Sequence, residues 1–289
     1  MTNQFPKVTV DPRGCIFSVV GANESIPLRF LSSFRASQQP RVAVFGGGVK
    51  NFTEEAIAKM APWVLAGFKG FRGVALSGGT AYFDSTTGKL KSEIVTAIPA
   101  ILSAENECIA IGTFPRVEEL ALDREKHFVL TDTYGAVVDD RYHHIASIQK
   151  NAAETLDWDG DLAQRFSVLD MLKDWKRVYV IINGGPVTRD EAYMALEHGI
   201  DVVVAKNSFR EADALVAAVE RDDFSDTAKE QRTKAKDDAV KLAAVDAIVE
   251  RCKSILKDRK HLVHVVEYGD QEALRAKMVE LNIVEGAQA

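Results

Sequence analysis

The chain has 289 residues, enough for one large α/β domain, and its hydrophobic fraction of 46% is ordinary for a globular protein. Lys and Arg total 36 against 42 Asp and Glu, which gives a net charge of −6, and no cluster of basic residues stands out along the chain. This balance disfavours nucleic acid as a partner.

The cysteines and the amino terminus bear on the compartment. Cys15, Cys108 and Cys252 are odd in number and lack metal-ligand spacing, which argues against structural zinc and indicates a reducing environment. The amino terminus has no basic start followed by an apolar core, and no apolar run reaches the length of a bilayer span. The sequence therefore predicts a cytoplasmic protein with no membrane insertion and no metal site.

In chain order, residues 1–39 are predicted to form an extension that packs on the main domain, with a strand at 15–20 and a short helix at 27–34. The main domain, 40–289, alternates strands with helices. Its seven predicted strands lie at 41–45, 74–77, 108–112, 128–131, 178–182, 200–205 and 261–267. This alternation predicts an α/β fold, a Rossmann-like, doubly wound, mostly parallel sheet of about seven strands with helices on both faces.

Three connections in this pattern are less regular. The polar stretch 81–89 is predicted to be a loop, and the chain after the fourth strand a helix that contains Arg141, Ile145 and Ile148. Residues 222–258 are predicted to form a charged helical segment, of which 222–238 cannot bury much apolar surface. The final strand and helix occupy 261–281.

The clearest unit is the strand, turn, helix and strand between residues 178 and 207. Thr188 is predicted to be the N-cap of its helix, because Glu191 follows at the spacing of a capping box. Two strands joined by one helix are parallel with a right-handed crossover, so the turn that precedes Thr188 opens at the carboxyl edge of the sheet. Ligands bind at that edge in open α/β folds.

Glycine-rich or polar turns follow four of the predicted strands. In such turns glycine lets backbone N–H groups approach a phosphate, and Thr80 and Thr188 add hydroxyl groups. The alternative interpretation is that any tight strand-to-helix turn needs glycine. No turn has the G-x-G-x-x-G or Walker pattern, which disfavours nicotinamide dehydrogenases and P-loop ATPases. The candidate ligand residues are Gly46, Gly47, Gly48, Ser77, Gly78, Gly79, Thr80, Thr113, Arg116, Asn183, Gly184, Gly185, Pro186, Val187 and Thr188.

These motifs and their order resemble the SLOG superfamily. The matching stretches are VFGGG, LSGGT, IAIGTFPR, INGGPVTRDEA and VVVAKNSFREAD, within residues 40–220, and more weakly the final strand and helix. The superfamily includes the cytosolic domain of melastatin-type TRP channels and the LOG-type nucleotide phosphoribohydrolases. The chain is most similar to the prokaryotic relatives of the channel domain.

The resemblance implies a pocket that senses an NAD- or nucleotide-derived ligand such as ADP-ribose, cyclic ADP-ribose or NAD, with no further cofactor. It adds Arg141, Ser208, Arg210 and Asp213 to the candidates. Asn207 and Phe209 stand where the channel-like members have glycine, so Phe209 either stacks on a base or packs internally. The sensor would act through an effector protein in trans, and a homo-oligomer is possible.

Two other functions stay open. In a LOG-like phosphoribohydrolase, Glu191 and Arg141 would be catalytic, and Gly184, Gly185 and Thr188 also match that family's central turn. There Asn183 replaces a proline and Val187 a glycine, which predicts a loop of different shape, and the capping box explains Glu191 without any reaction. The third candidate is an interaction subunit without a ligand.

Overall fold

A computed structural model describes residues 8–10, 16–21, 41–78, 81–83, 90–91, 94–114, 120–123, 128–131, 136–139, 142–149 and 158–286. Its strands are β1 (Val8–Val10), β2 (Ile16–Gly21), β3 (Arg41–Gly47), β4 (Gly73–Gly78), β5 (Ala81–Phe83), β6 (Leu90–Lys91), β7 (Cys108–Phe114), β8 (Leu120–Asp123), β9 (Phe128–Thr131), β10 (Ala136–Asp139), β11 (His144–Gln149), β12 (Lys176–Ile182), β13 (Asp201–Lys206) and β14 (Val263–Glu267). Its helices are α1 (Glu54–Gly67), α2 (Ile94–Glu105), α3 (Trp158–Met171), α4 (Pro186–Glu197), α5 (Arg210–Arg221), α6 (Lys229–Ala235), α7 (Ala239–Arg259) and α8 (Gln271–Glu280).

The centre of the fold is a sheet whose six core strands are all parallel, in the order β7-β4-β3-β12-β13-β14. Beyond β7 the sheet continues with β11 and β2, also parallel, and with β1, which is antiparallel. The predicted α/β, Rossmann-like class is confirmed, and six of the seven predicted strands lie in this core. The strand predicted at 15–20 is also present, as β2.

The remaining predicted strand, 128–131, is β9 and belongs to a second sheet. This sheet is antiparallel, with the order β6-β5-β10-β9-β8. Part of the stretch predicted as a loop, 81–89, is therefore strand β5. Strands of two to four residues are too short to show a periodic pattern, which is why the sequence does not reveal this sheet.

The prediction of a helix that contains Ile145 and Ile148 is also wrong, because these residues form strand β11 between β2 and β7. A strand with parallel neighbours on both sides needs no alternation of apolar and polar residues. The spacing of three between the two isoleucines therefore fits a strand as well as a helix. The helix predicted at 27–34 lies outside the described residues.

Successive residues of each core strand point to opposite faces of the sheet. On β12, Tyr179 and Ile181 pack with α3, α4, α5 and α7, whereas Val178, Val180 and Ile182 pack with α1, α2 and α8. Helices therefore cover both faces, and residues 178–182 of β12 are apolar on both sides because neither face meets water.

The charged segment 222–258 divides into two helices. In α7, Val245, Val249, Cys252 and Leu256 form a buried apolar face, of which Cys252 and Leu256 join the core on one side of the sheet. Within 222–238 the chain forms the short helix α6, whose only buried residue is Ala235. Among the described residues, no helix combines the length and the apolar character that a membrane span requires.

Candidate functional site

The strand order places a crevice between β3 and β12. From β3 the chain proceeds to β4 and β7 on one side, whereas β12, β13 and β14 lie on the other. The turns after β3 and β12 therefore leave the sheet in opposite directions, and such a switch point opens a crevice at the carboxyl edge. The Nδ2 group of Asn183 donates a hydrogen bond of 2.7 Å to the carbonyl oxygen of Lys50, which joins the two turns.

The turn after β12 leads directly into α4. Asn183 and Gly184 have φ of 58° and 84°, and Gly185 is the N-cap of α4 with no side-chain cap. The prediction that Thr188 is the N-cap is wrong, because the N-cap is Gly185, three residues earlier, and Pro186 occupies the first-turn position that proline favours. Thr188 is buried instead, and its side chain lies against Gly184.

The first amides of α4 lack hydrogen-bond acceptors among the described residues. No described residue accepts a hydrogen bond from the backbone N–H of Gly185, Val187 or Thr188. Such N–H groups, together with the helix dipole, attract anions. The carboxyl edge of β12 therefore has the donors that a phosphate needs.

Arg210 brings a positive charge to the same turn. A Cβ atom on Gly185 would lie 2.7 Å from its Nη2 atom, so the guanidinium rests on the backbone of that glycine. The Nε and Nη2 atoms of Arg210 donate to the two carboxylate oxygens of Glu230 at 2.8 and 3.0 Å, and the Nζ atom of Lys50 is 3.4 Å from the first of them. The hydrogen bond from Arg210 is the main cause that lowers the pKa of Glu230 to about 2.

Three predicted ligand residues, Ser208, Asn183 and Ser77, hold the strand ends and turns together. Ser208 is fully buried, accepts a hydrogen bond of 2.8 Å from the Asn183 amide and donates one of 2.6 Å to the Ala205 carbonyl. The Oδ1 atom of Asn183 accepts from the Gly184 amide at 2.6 Å. Similarly, Ser77 donates to the carbonyl oxygen of Phe45 at 2.8 Å and ties β4 to β3. These side chains shape the edge of the sheet through internal hydrogen bonds.

The turn after β13 adopts a conformation that favours glycine, although it contains none. Asn207 and Phe209 have φ of 63° and 74°. These are the two positions at which the resemblance expects glycine. The carboxylate of Asp213 accepts from the backbone N–H of both residues, at 2.7 and 2.9 Å, and so holds the turn. A left-handed backbone at a bulky residue costs about 1–3 kcal/mol and persists where its surroundings enforce it.

The side chain of Phe209 is 46% exposed at this edge. Its ring meets that of Phe52 edge to face, with centroids 5.8 Å apart, and Phe52 stacks on Tyr268 at 5.1 Å. The turns after β3 and β13 therefore share an aromatic surface beside Arg210. An exposed ring in such a position can stack on a nucleobase.

Below the crevice lies a buried ion pair that the sequence interpretation missed. The Nη1 atom of Arg165, on α3, donates to the carboxylate of Glu191 and to the hydroxyl of Tyr179 at 3.1 Å, while its Nε atom donates to the hydroxyl of Thr113 at 3.2 Å. The side chains of Arg165 and Glu191 are 3% and 6% exposed. Glu191 is thus an internal partner of Arg165 and not a capping residue.

A sequence signal for Arg165 exists. It lies three residues after Leu162 and four before Leu169, both buried, on the face of α3 that covers the sheet. A single arginine in a stripe of apolar residues needs a buried partner, because burying an unpaired charge is costly. That rule identifies Arg165, although it does not identify Glu191.

Two of the predicted phosphate glycines have internal neighbours. A Cβ atom on Gly46 would meet the carboxylate of Glu191 at 2.3 Å, and one on Gly47, whose φ is 148°, would meet the carbonyl oxygen of Ile182 at 1.9 Å. Both positions require glycine for packing alone. A Cβ atom on Gly48 would lie 4.0 Å from the Cα atom of Gly184, so a side chain at Gly48 would meet no clash there.

The remaining predicted residues within the described part of the chain lie on β4, β7 and α4. Gly78 ends β4, and Thr113 lies at the end of β7, fully buried under Arg165. Pro186 and Val187 form the first turn of α4, and the side chain of Val187 is 45% exposed. The described residues bring together no group of His, Cys, Asp and Glu side chains that could hold a metal ion. Outside the described residues lie Gly79, Thr80, Arg116 and Arg141.

No protein-family model matches the chain, and no curated protein matches it significantly. The resemblance to the SLOG superfamily therefore rests on the motifs and their order.

Proposed function

We propose that the protein binds a nucleotide-derived anion, of the ADP-ribose or NAD class, in the crevice between the turns after β3 and β12. One observation carries the proposal. The backbone N–H groups of Gly185, Val187 and Thr188 lack an acceptor among the described residues, and the guanidinium of Arg210 lies on the same turn. Amides at a helix start combined with an arginine favour a phosphate over an uncharged ligand.

The aromatic surface beside this turn supports a nucleotide over inorganic phosphate. Phe209 is half exposed and directly precedes Arg210 in the chain. A phosphate held by Arg210 would therefore place the attached sugar and base near the ring of Phe209. The protein would act as a sensor in the manner of SLOG proteins and transmit its ligand state to an effector protein in trans.

The hydrolase alternative receives less support from the geometry. Cleavage of an N-glycosidic bond requires a carboxylate that faces the ribose. The carboxylate of Glu191 is instead buried against Gly46 and held by Arg165. The alternative of an interaction subunit without a ligand gives no role to the amides of α4, so we favour the sensor.

A thermal-shift panel tests this proposal. The ligands are ADP-ribose, cyclic ADP-ribose, NAD and AMP, with ribose as a control, and each sample is analysed for released base. A ligand at a hundred times its Kd stabilises the folded protein by about 2.7 kcal/mol, which raises Tm by several degrees. The sensor proposal fails if no phosphate-bearing member of the panel shifts Tm.

Two variants locate the site. Arg210→Gln removes charge-assisted hydrogen bonds worth about 1.5–3 kcal/mol, which predicts roughly tenfold to hundredfold weaker binding of the best ligand. Arg251→Gln is the matched control, because Arg251 makes a similar pair with Glu197, at 2.7 Å, at the opposite end of α4. Gly185→Val should abolish binding, since its side chain would collide with Arg210 and cover the amides. Equal affinities in folded Arg210 and Arg251 variants would place the site elsewhere.

A further inference from the structure

The carboxylate of Glu230 already occupies the cationic side of the crevice. It accepts two hydrogen bonds from Arg210, at 2.8 and 3.0 Å, and lies 3.4 Å from the Nζ atom of Lys50. A phosphate group engages an arginine through two oxygens in the same bidentate way. Glu230 therefore makes, from within the chain, the contacts that the proposed function assigns to the phosphate of a ligand.

The helix that carries Glu230 is held mainly by polar contacts. In α6 only Ala235 is buried, and the preceding Ala228 is the other apolar anchor. Polar contacts also hold the helix, among them the hydrogen bond from Arg189 to Gln231 and the ion pair of Arg232 with Asp246. Because α6 buries little apolar surface, detaching it from the rest of the protein costs less free energy than detaching a core helix would.

We propose that Glu230 is an internal stand-in for the ligand phosphate, and that a phosphate-bearing ligand binds by displacing this carboxylate and releasing α6. The inference rests on the proposed function and adds to it a mechanism of regulation at the same site. The order of α6 then reports whether the crevice is occupied, and α6 is the element through which an effector would sense the ligand.

The charge of Glu230 determines which ligands can compete. Arg210 holds the pKa of Glu230 far below neutral, so the carboxylate stays ionised at physiological pH and only another anion replaces it. A carboxylate on a ligand would offer Arg210 the same charge and the same two acceptor oxygens that Glu230 already provides. The pyrophosphate of ADP-ribose carries more charge and more acceptor oxygens than a carboxylate, so it can bind Arg210 and the amides of Gly185 and Val187 together. The crevice therefore selects phosphates over carboxylates.

Titration calorimetry on the full chain tests the competition between Glu230 and a phosphate, with ADP-ribose as the ligand and pyrophosphate as a phosphate-only probe. Glu230→Gln removes the competing charge and should bind both about fivefold to tenfold more tightly than the wild type. Glu197→Gln is the matched control, because Glu197 also pairs with an arginine, Arg251, but at the far end of α4. Its affinities should stay within about twofold of the wild type.

Amide hydrogen exchange in α6 distinguishes a ligand that displaces Glu230 from a ligand that binds beside Glu230 and is only repelled by its charge. In the wild type, saturating ADP-ribose should accelerate amide exchange in residues 229–235, whereas a ligand that binds beside Glu230 would leave exchange unchanged or slow it. In Glu230→Gln the same amides should exchange rapidly before any ligand is added. This measurement on the wild type does not depend on the stability of a variant.

The outcomes separate the inference from the proposed function. Tighter binding by Glu230→Gln with ligand-induced exchange in α6 supports both, as does binding seen only in that variant. Equal affinities in wild type and Glu230→Gln, with α6 unchanged by ligand, overturn the displacement mechanism and leave the nucleotide site standing. If neither protein binds ADP-ribose or pyrophosphate, both proposals fall.

Discussion

The buried pair of Arg165 and Glu191 predicts a large loss of stability for Glu191→Gln. The two side chains are 3% and 6% exposed, and Arg165 also donates to Tyr179 and Thr113, so the guanidinium depends on protein partners instead of water. Removing one member of a buried ion pair costs about 3–5 kcal/mol, since the other charge stays in a low-dielectric site. Gln keeps one carbonyl acceptor at the same position, so we expect about 3 kcal/mol.

Guanidinium denaturation, with linear extrapolation to water, measures this change, and Tm should fall by about 6 °C or more. Glu197→Gln again provides the control. Its pair with Arg251 has side chains that are 40% and 53% exposed, for which the loss is at most about 1 kcal/mol.

The double variant Arg165→Met with Glu191→Leu adds an internal check. Apolar side chains of similar size remove both charges at once, so the double variant should lose less stability than the sum of the two single changes. If Glu191 were part of a capping box, Glu191→Gln would change stability little, because Gln can replace Glu in that motif. A change below about 1 kcal/mol, equal to that of Glu197→Gln, would refute the role of Glu191 as a buried partner.

Two further predictions concern the turns around the crevice. Gly47→Ala should destabilise the protein by about 3 kcal/mol or more in chemical denaturation, because its Cβ atom meets the carbonyl oxygen of Ile182 at a positive φ. At Gly70, which also has positive φ but no atom nearby, the same change should cost only about 1–2 kcal/mol, and equal losses would contradict the clash. Burial raises the pKa of Glu211 above its usual 4.5, so the folded protein keeps the proton on this carboxyl group to a higher pH than the unfolded chain does. The free energy of unfolding therefore falls as the pH rises from 4.5 through the pKa of the folded state. A pH series of denaturation curves should show that Glu211→Gln removes this decline, and an unchanged slope would contradict it.

The amino-acid sequence by itself determines the main sheet. Buried strands such as 178–182 and 201–206 are β-branched runs followed at once by turn residues, and both signals are local. Parallel pairing and a right-handed crossover then place every such turn at one edge. This is why the positions of Gly184 and Gly185 at the carboxyl edge could be predicted from the strand pattern, whereas Arg210 became a candidate only through the resemblance to the SLOG superfamily.

Local patterns failed where the elements are short or where pairing decides their structure. The second sheet consists of strands of two to four residues, and β11 has a spacing that also fits a helix. At the start of α4 two local signals competed, since Thr188 and Glu191 match a capping box while Pro186 favours an earlier start. Proline prevailed, because its fixed φ suits the first helical turn and Glu191 had a buried partner elsewhere.

Only the tertiary structure decided which charges meet. Arg165 and Glu191 are 26 residues apart, and Arg210 and Glu230 are 20 apart, on different helices in both cases. Local preference specifies the apolar face of each helix, but it contains no information on which polar side chain of a neighbouring helix lies opposite. The internal partner of Glu191 and the carboxylate that covers Arg210 follow from how α3, α4, α5 and α6 assemble on the sheet.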